Sequence, residues 1–203
     1  MVYGQFVKEK KYASFRVHVD DPLATQELAK RIFNLLPDSP ETPIVIVNIG
    51  SDRSTGDSLG PLTGTKLLTR RSPLYNVYGS LDAPIHAKNL EDTLTHIHDT
   101  YDHPFIIAVD ACLGRTENVG MLTVMEGPVM PGAAVKKKLP PVGDIHLTGI
   151  VNVSGYMEML VLQNTRLAIV MALADTLSTA LWRAACWQVN RRQVLYPSRG
   201  ALL

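Results

Sequence analysis

Cysteine is scarce in this chain. Cys112 and Cys186 are its 2 cysteines in 203 residues, far apart and in apolar surroundings. That excludes a disulfide scaffold and predicts a reduced, cytoplasmic protein with buried structural thiols. An excess of either charge is also missing: 20 Lys+Arg face 19 Asp+Glu, a net charge of +1. No electrostatic case for nucleic acid or anionic lipid follows. The three lysines Lys136, Lys137 and Lys138 read as a solvated loop. The longest apolar stretch, near Leu167 to Leu181, is broken by Asp175 and Thr176, which argues against a membrane span. The start, Met1-Val2-Tyr3-Gly4-Gln5-Phe6, has no apolar segment of the kind a secretion signal needs. Gly-x-Gly-x-x-Gly is absent and no Cys/His pair has zinc spacing, so neither a dinucleotide fingerprint nor a zinc finger is present.

What is there is an apolar globular composition, 46% hydrophobic, enough for one domain with a real core. No repeat or boundary divides it, so residues 1–203 read as a single α/β domain with residues 1–20 as an extended arm or added strand. Apolar runs at Ile44–Ile49, Tyr75–Gly79, Phe105–Val109, Gly120–Met125 and within Ile145–Val153 read as strands. Helical spacing covers Asp20 to Leu36, Leu59 to Arg70, Leu90 to Tyr101, Tyr156 to Leu162 (capped by Ser154) and a long helix to about Val189, capped by Asn164 or Thr165. Arg191-Arg192 would sit at the negative end of that last helix. Strands alternating with helices predict a three-layer α/β/α fold with a mostly parallel sheet.

Between Val47 and Leu62 lies the polar loop Asn48-Ile-Gly-Ser-Asp-Arg-Ser-Thr-Gly-Asp-Ser-Leu-Gly-Pro61. It carries Gly50, Gly56 and Gly60 with Asp52 and Asp57, at the carboxyl end of a strand, where open α/β sheets bind ligands. Asp110 ends another apolar run. If those two strand ends are neighbours, Asp57 and Asp110 meet. Two close carboxylates cannot both ionise cheaply, so one keeps a proton and the other becomes a base. Such a pair can activate water, alone or through a divalent metal held at Asp57 and Asp110. On local grounds Asp57 serves equally well as a helix cap, and Asp52 reads first as a turn former. Gly56-Asp57-Ser58-Leu59-Gly60 puts Ser58 in the central position of a glycine-flanked pentapeptide without a nucleophile-elbow context. That leaves a serine hydrolase as a weaker rival, with His86 or His146 as base.

Three motifs in order, residues 48–61, Val109-Asp-Ala-Cys-Leu-Gly-Arg115 and Leu139-Pro-Pro-Val-Gly-Asp-Ile-His-Leu-Thr-Gly-Ile-Val-Asn-Val-Ser-Gly155, resemble the YyaC family of sporulation proteins. The resemblance runs from about Pro43 through the last helix. More distantly the pattern is similar to the germination protease that degrades small acid-soluble spore proteins, and to the hydrogenase maturation endopeptidases. The fold this implies is the maturation-protease/phosphorylase-like α/β/α arrangement. The resemblance places the functional carboxylates of both relatives on Asp57 and Asp110; Asp52, Ser54, Ser58 and Arg115, all inside the motifs, are the further candidate binding residues. It implies a peptidase of sporulation or germination in the cytoplasm of the forespore or spore, acting on a protein or peptide substrate. Both relatives carry a histidine in a later loop, where this chain has Val129-Met130-Pro131-Gly132. A second function class therefore stands beside the first: a non-catalytic spore assembly or binding protein that retains the pocket. Metal-dependent hydrolysis of something other than a peptide is a third. The last helix is apolar on more than one face, which leaves room for a homo-oligomer interface beyond core packing.

Overall fold

A computed structural model describes residues 14–72, 74–131 and 139–196. Most of the amino-terminal arm, the lysine triplet and Gly132 lie outside them. Six strands form one sheet: β1 (Ser14–His18), β2 (Ile44–Asn48), β3 (Tyr75–Tyr78), β4 (Phe105–Gly114), β5 (Met121–Glu126) and β6 (Ile145–Val153). Their order is β1-β5-β6-β4-β2-β3. β6, β4, β2 and β3 run parallel, while β5 is antiparallel to both β6 and β1. The sheet is mostly parallel, as the alternation of strands and helices predicts. β5 reverses because only residues 115–120 separate it from β4, and a parallel crossover takes a dozen residues or more.

The β2 sequence Ile-Val-Ile-Val reads as apolar throughout because both sheet faces are covered. Ile44 and Ile46 enter one core with Ile107, Val109, Leu122 and Leu147. Val45 and Val47 enter a second core with Ala108, Leu90 and Ile97. The first core is roofed by α1 (Ala24–Leu35), α2 (Leu59–Arg70) and α5 (Leu167–Leu195), the second by α3 (Leu90–Thr100). This is the three-layer α/β/α architecture. α5 has the length and hydropathy of a membrane-crossing helix. Here it lies against α1 and α2, with Leu173, Leu177 and Leu181 fully buried.

Three local expectations change. β4 does not stop at Asp110 but continues to Gly114, because β6 is nearly as long and pairs with it to the end. Ser154 does not cap α4 (Glu158–Gln163); its hydroxyl donates to the Gly114 carbonyl at 3.2 Å, and Met157 precedes the helix in a left-handed conformation, φ 58°. Asn164 and Thr165 do not cap α5 either. Their side chains donate back to the Leu160 and Val161 carbonyls, each at 2.8 Å. Arg191 and Arg192, inside α5, donate to the Leu36 and Pro37 carbonyls at 3.2 Å. Arg192 lies in the last turn of α5, as the sequence leads one to expect, and both arginines also complement the carboxyl end of α1.

Candidate active site

The site begins where β2 ends. The Ile49 N–H donates to the Val109 carbonyl of β4, and the Gly50 N–H donates to the Ile85 carbonyl, both at 2.7 Å. These bonds lock the loop after β2 between β4 and the segment leading to α3. Gly50 has φ 144°, and a Cβ there would strike the Asp57 carbonyl, so glycine is required. The Ser51 N–H donates to that carbonyl at 3.1 Å and closes the loop. A 3-10 turn at Gly56–Ser58 then leads into α2. No side chain caps the first turn of α2, so Asp57 is not its cap. The turn hydrogen bond expected of Asp52 is made by Ser51, whose hydroxyl accepts the Arg53 N–H at 3.2 Å.

Asp57 faces a cavity of about 450 Å³. Asp110, on β4, lines the same cavity, as do Ser54 and His86. Burial is the largest influence on both carboxyls and pushes both upward. For Asp57 the His86 ring and the Ser51 N–H pull the other way. For Asp110 the neighbouring Asp57 charge adds to burial, against one N–H bond from Ala111 at 2.9 Å, and holds it at about 7. Asp110 keeps part of its surface open to the cavity but is otherwise enclosed by protein. The environments thus differ in kind: Asp57 has groups that favour its charge, and Asp110 has a like charge beside it. Asp110 therefore keeps its proton to near neutrality.

Ser54 lines the cavity with a buried hydroxyl that has no hydrogen-bond partner, so it is available to a bound molecule. Ser58 is buried away from the wall and donates to the Thr55 carbonyl at 2.7 Å. Asp52 and Arg115 are exposed and outside the cavity lining. Cys112 lines the cavity, and burial and the Asp110 charge push its thiol up to about 11, the opposite of an activated nucleophile. His146 is buried elsewhere, its Nδ1 2.8 Å from the Gly127 carbonyl. The cavity mouth also carries Arg53, Lys88 and Glu158.

His86 enters the sequence reading only as a base for Ser58, yet it lies beside Asp57. The signal is an isolated parallel bridge, Ile49 to Ile85, which extends β2 and seats the residue after Ile85 next to the loop. A divalent metal at the two aspartates needs further donors. Among the described residues no group of three or more His, Cys, Asp or Glu is arranged to hold an ion. Asp57, Asp110 and His86 therefore do not fit a metal site.

Residues 16–180 match a protein family described as "Protein of unknown function (DUF1256)". The chain is also 47% identical over 178 residues to a protein of Bacillus subtilis (strain 168) named "Uncharacterized protein YyaC". That match spans 88% of this chain and 86% of the relative.

Proposed function

The chain belongs to the DUF1256 family, in company with the Bacillus subtilis YyaC protein, and we propose that it is a peptidase of sporulation or germination in which Asp57 and Asp110 activate water. The observation that carries this reading is the shared cavity in which one carboxyl is pushed toward neutrality by burial and by the charge of the other. The motif resemblance to the germination protease supports the choice of a peptide bond. In this reading Asp57 is the ionised partner. It takes a proton from water as the water oxygen bonds to the carbonyl carbon. Asp110, protonated up to about pH 7, donates a hydrogen bond to the carbonyl oxygen as charge develops there. Collapse breaks the C–N bond, and the proton held by Asp57 passes to the leaving amine. The expected substrate is a spore protein or peptide, and the expected location is the cytoplasm of the forespore or spore.

The test is cleavage of proteins extracted from sporulating cells by the wild-type chain, Asp57→Asn and Asp110→Asn. Each substitution is expected to lower cleavage by about a hundredfold or more. Cleavage undiminished in both would overturn the mechanism. The second reading, a non-catalytic assembly protein, draws on the exposed apolar residues just before α4: Tyr156, 94% exposed, and Met157, 61%. A stable partner captured equally by both aspartate variants, with no proteolysis by the wild type, would favour it.

A further inference from the structure

β4 runs on past the strand beside it. Its pairing with β2 ends at Asn48 opposite Val109, closed by the Ile49 N–H on the Val109 carbonyl. From Asp110 to Gly114 it has β6 on one side and, among the described residues, no strand on the other. The backbone groups of a strand alternate in direction. Val109 faces β2, so Ala111 and Leu113 face the same, now open, side. Gly114 faces β6, where its carbonyl accepts the Ser154 N–H at 2.7 Å. On the open side the Ala111 N–H is taken up locally by Asp110 Oδ1. Among the described residues, the Ala111 carbonyl and the Leu113 N–H and carbonyl have no neighbouring strand.

The cavity is consistent with this geometry. Consecutive side chains of a strand point to opposite faces, yet Asp110, Ala111, Cys112 and Leu113 all line one cavity. A space that looks onto the strand's edge accounts for four lining residues in a row, with the irregular β4–β6 pairing at Cys112/Leu113 at its far end.

We propose that the open edge of β4 binds an extended polypeptide segment as an added strand and so presents its backbone to Asp57 and Asp110. An edge offering carbonyl, N–H and carbonyl in sequence is complementary to another backbone. The flanking walls suit the side chains of such a segment. Met130 and Met159 line the same cavity and are 67% and 58% exposed, a pair of flexible apolar surfaces that adapt to residues of different shape. The inference rests on the peptidase reading for the identity of the segment as substrate, but its binding geometry is separately measurable.

The probe is a pool of capped hexapeptides with central positions drawn from Ala, Val, Leu, Met and Phe, added to full-length Asp57→Asn. Binding is expected to slow hydrogen exchange of the Leu113 amide by about tenfold or more, and N-methylation at alternate peptide positions is expected to weaken binding by about tenfold where the peptide N–H faces β4. Leu113→Pro removes the open-side donor while leaving the β6 side intact, and a similar loss of binding is expected. A pool that does not bind, or a bound peptide that leaves the Leu113 amide unchanged and tolerates N-methylation everywhere, overturns the proposal. The peptide measurements decide the matter even where Leu113→Pro does not fold. Wild-type cleavage without Leu113 protection sinks the strand geometry alone, and protection without cleavage sinks the peptidase reading alone.

Discussion

Asp57 and Asp110 reach one cavity from two adjacent parallel strands. Asn48 of β2 is level with Val109 of β4, so Asp110 is the first β4 residue beyond that pairing. The loop that leaves β2 folds back and brings Asp57 over it. The like charge of Asp57 then raises Asp110, already raised by burial, to about 7. Carboxyl-carbon NMR titration is expected to show Asp110 titrating near neutrality, with Asp57 ionising first. In Asp57→Asn the Asp110 midpoint is expected to fall, because one of its two raising causes is gone. An unchanged midpoint would mean that the two carboxyls do not interact.

The same shift makes stability depend on pH. Asp110 has a folded pKa of about 7, raised from 3.8. Its stabilising contribution is therefore complete below about 3.8 and is lost as pH rises through 7. Above that, the folded state holds an ionised carboxylate that water would solvate better. Asp110→Asn is thus expected to stabilise the fold by about 1–3 kcal/mol at pH 8 and by little at pH 4. Urea unfolding at the two pH values measures the difference, and equal gains at both would contradict it.

Cys112 provides an independent probe of the same charge. Its thiol is held at about 11 by burial and by Asp110, with Sγ 3.5 Å from the Gly149 carbonyl. At pH 8 its alkylation by iodoacetamide is expected to be slower by about a hundredfold than in the urea-unfolded chain, since thiolate is the reacting form. Asp110→Asn is expected to accelerate the native rate by several-fold. Mass spectrometry of the Cys112 peptide separates this signal from Cys186.

Much of this architecture is legible in the residues, for reasons that differ by element. α2 is read to its ends because Gly60-Pro61 and the apolar spacing of Leu59, Leu62, Leu67 and Leu68 are local signals. β2 is legible because burial on both faces demands an unbroken apolar run. The end of β4 is not: Asp110 and Gly114 are poor strand formers, and only the partner β6 keeps them extended. Nor is His86, whose place depends on the Ile49–Ile85 bridge between segments far apart in sequence. The caps of α4 and α5 are misread because Ser154, Asn164 and Thr165 find other carbonyls nearby, and these short polar side chains bond whichever backbone lies closest. For the aspartates the sequence supplies residue types and strand ends. The sheet order that makes β2 and β4 neighbours comes from packing.

Gly60 links the fold to the site. It sits in the first turn of α2, where a Cβ would strike the Ile49 carbonyl, the residue that ties the Asp57 loop to β4. Gly60→Ala must push α2 and the Asp57 loop away from β2. The expected cost is about 1–3 kcal/mol of stability, with the carboxyl coupling of Asp57 and Asp110 weakened. At the other end of α2, Arg71 holds a left-handed conformation, φ 49°, and its N–H bonds the Leu68 carbonyl. Glycine takes that conformation without the Cβ penalty, so Arg71→Gly is expected to add about 0.5–1 kcal/mol. The two positions are 11 residues apart on one helix, about 16 Å, far enough for their stabilities to add. The double variant is therefore expected to regain part of the lost stability while the Asp110 titration stays displaced as in Gly60→Ala alone. If Arg71→Gly restores that titration as well, the Gly60 contact acts through global stability and not by seating the Asp57 loop.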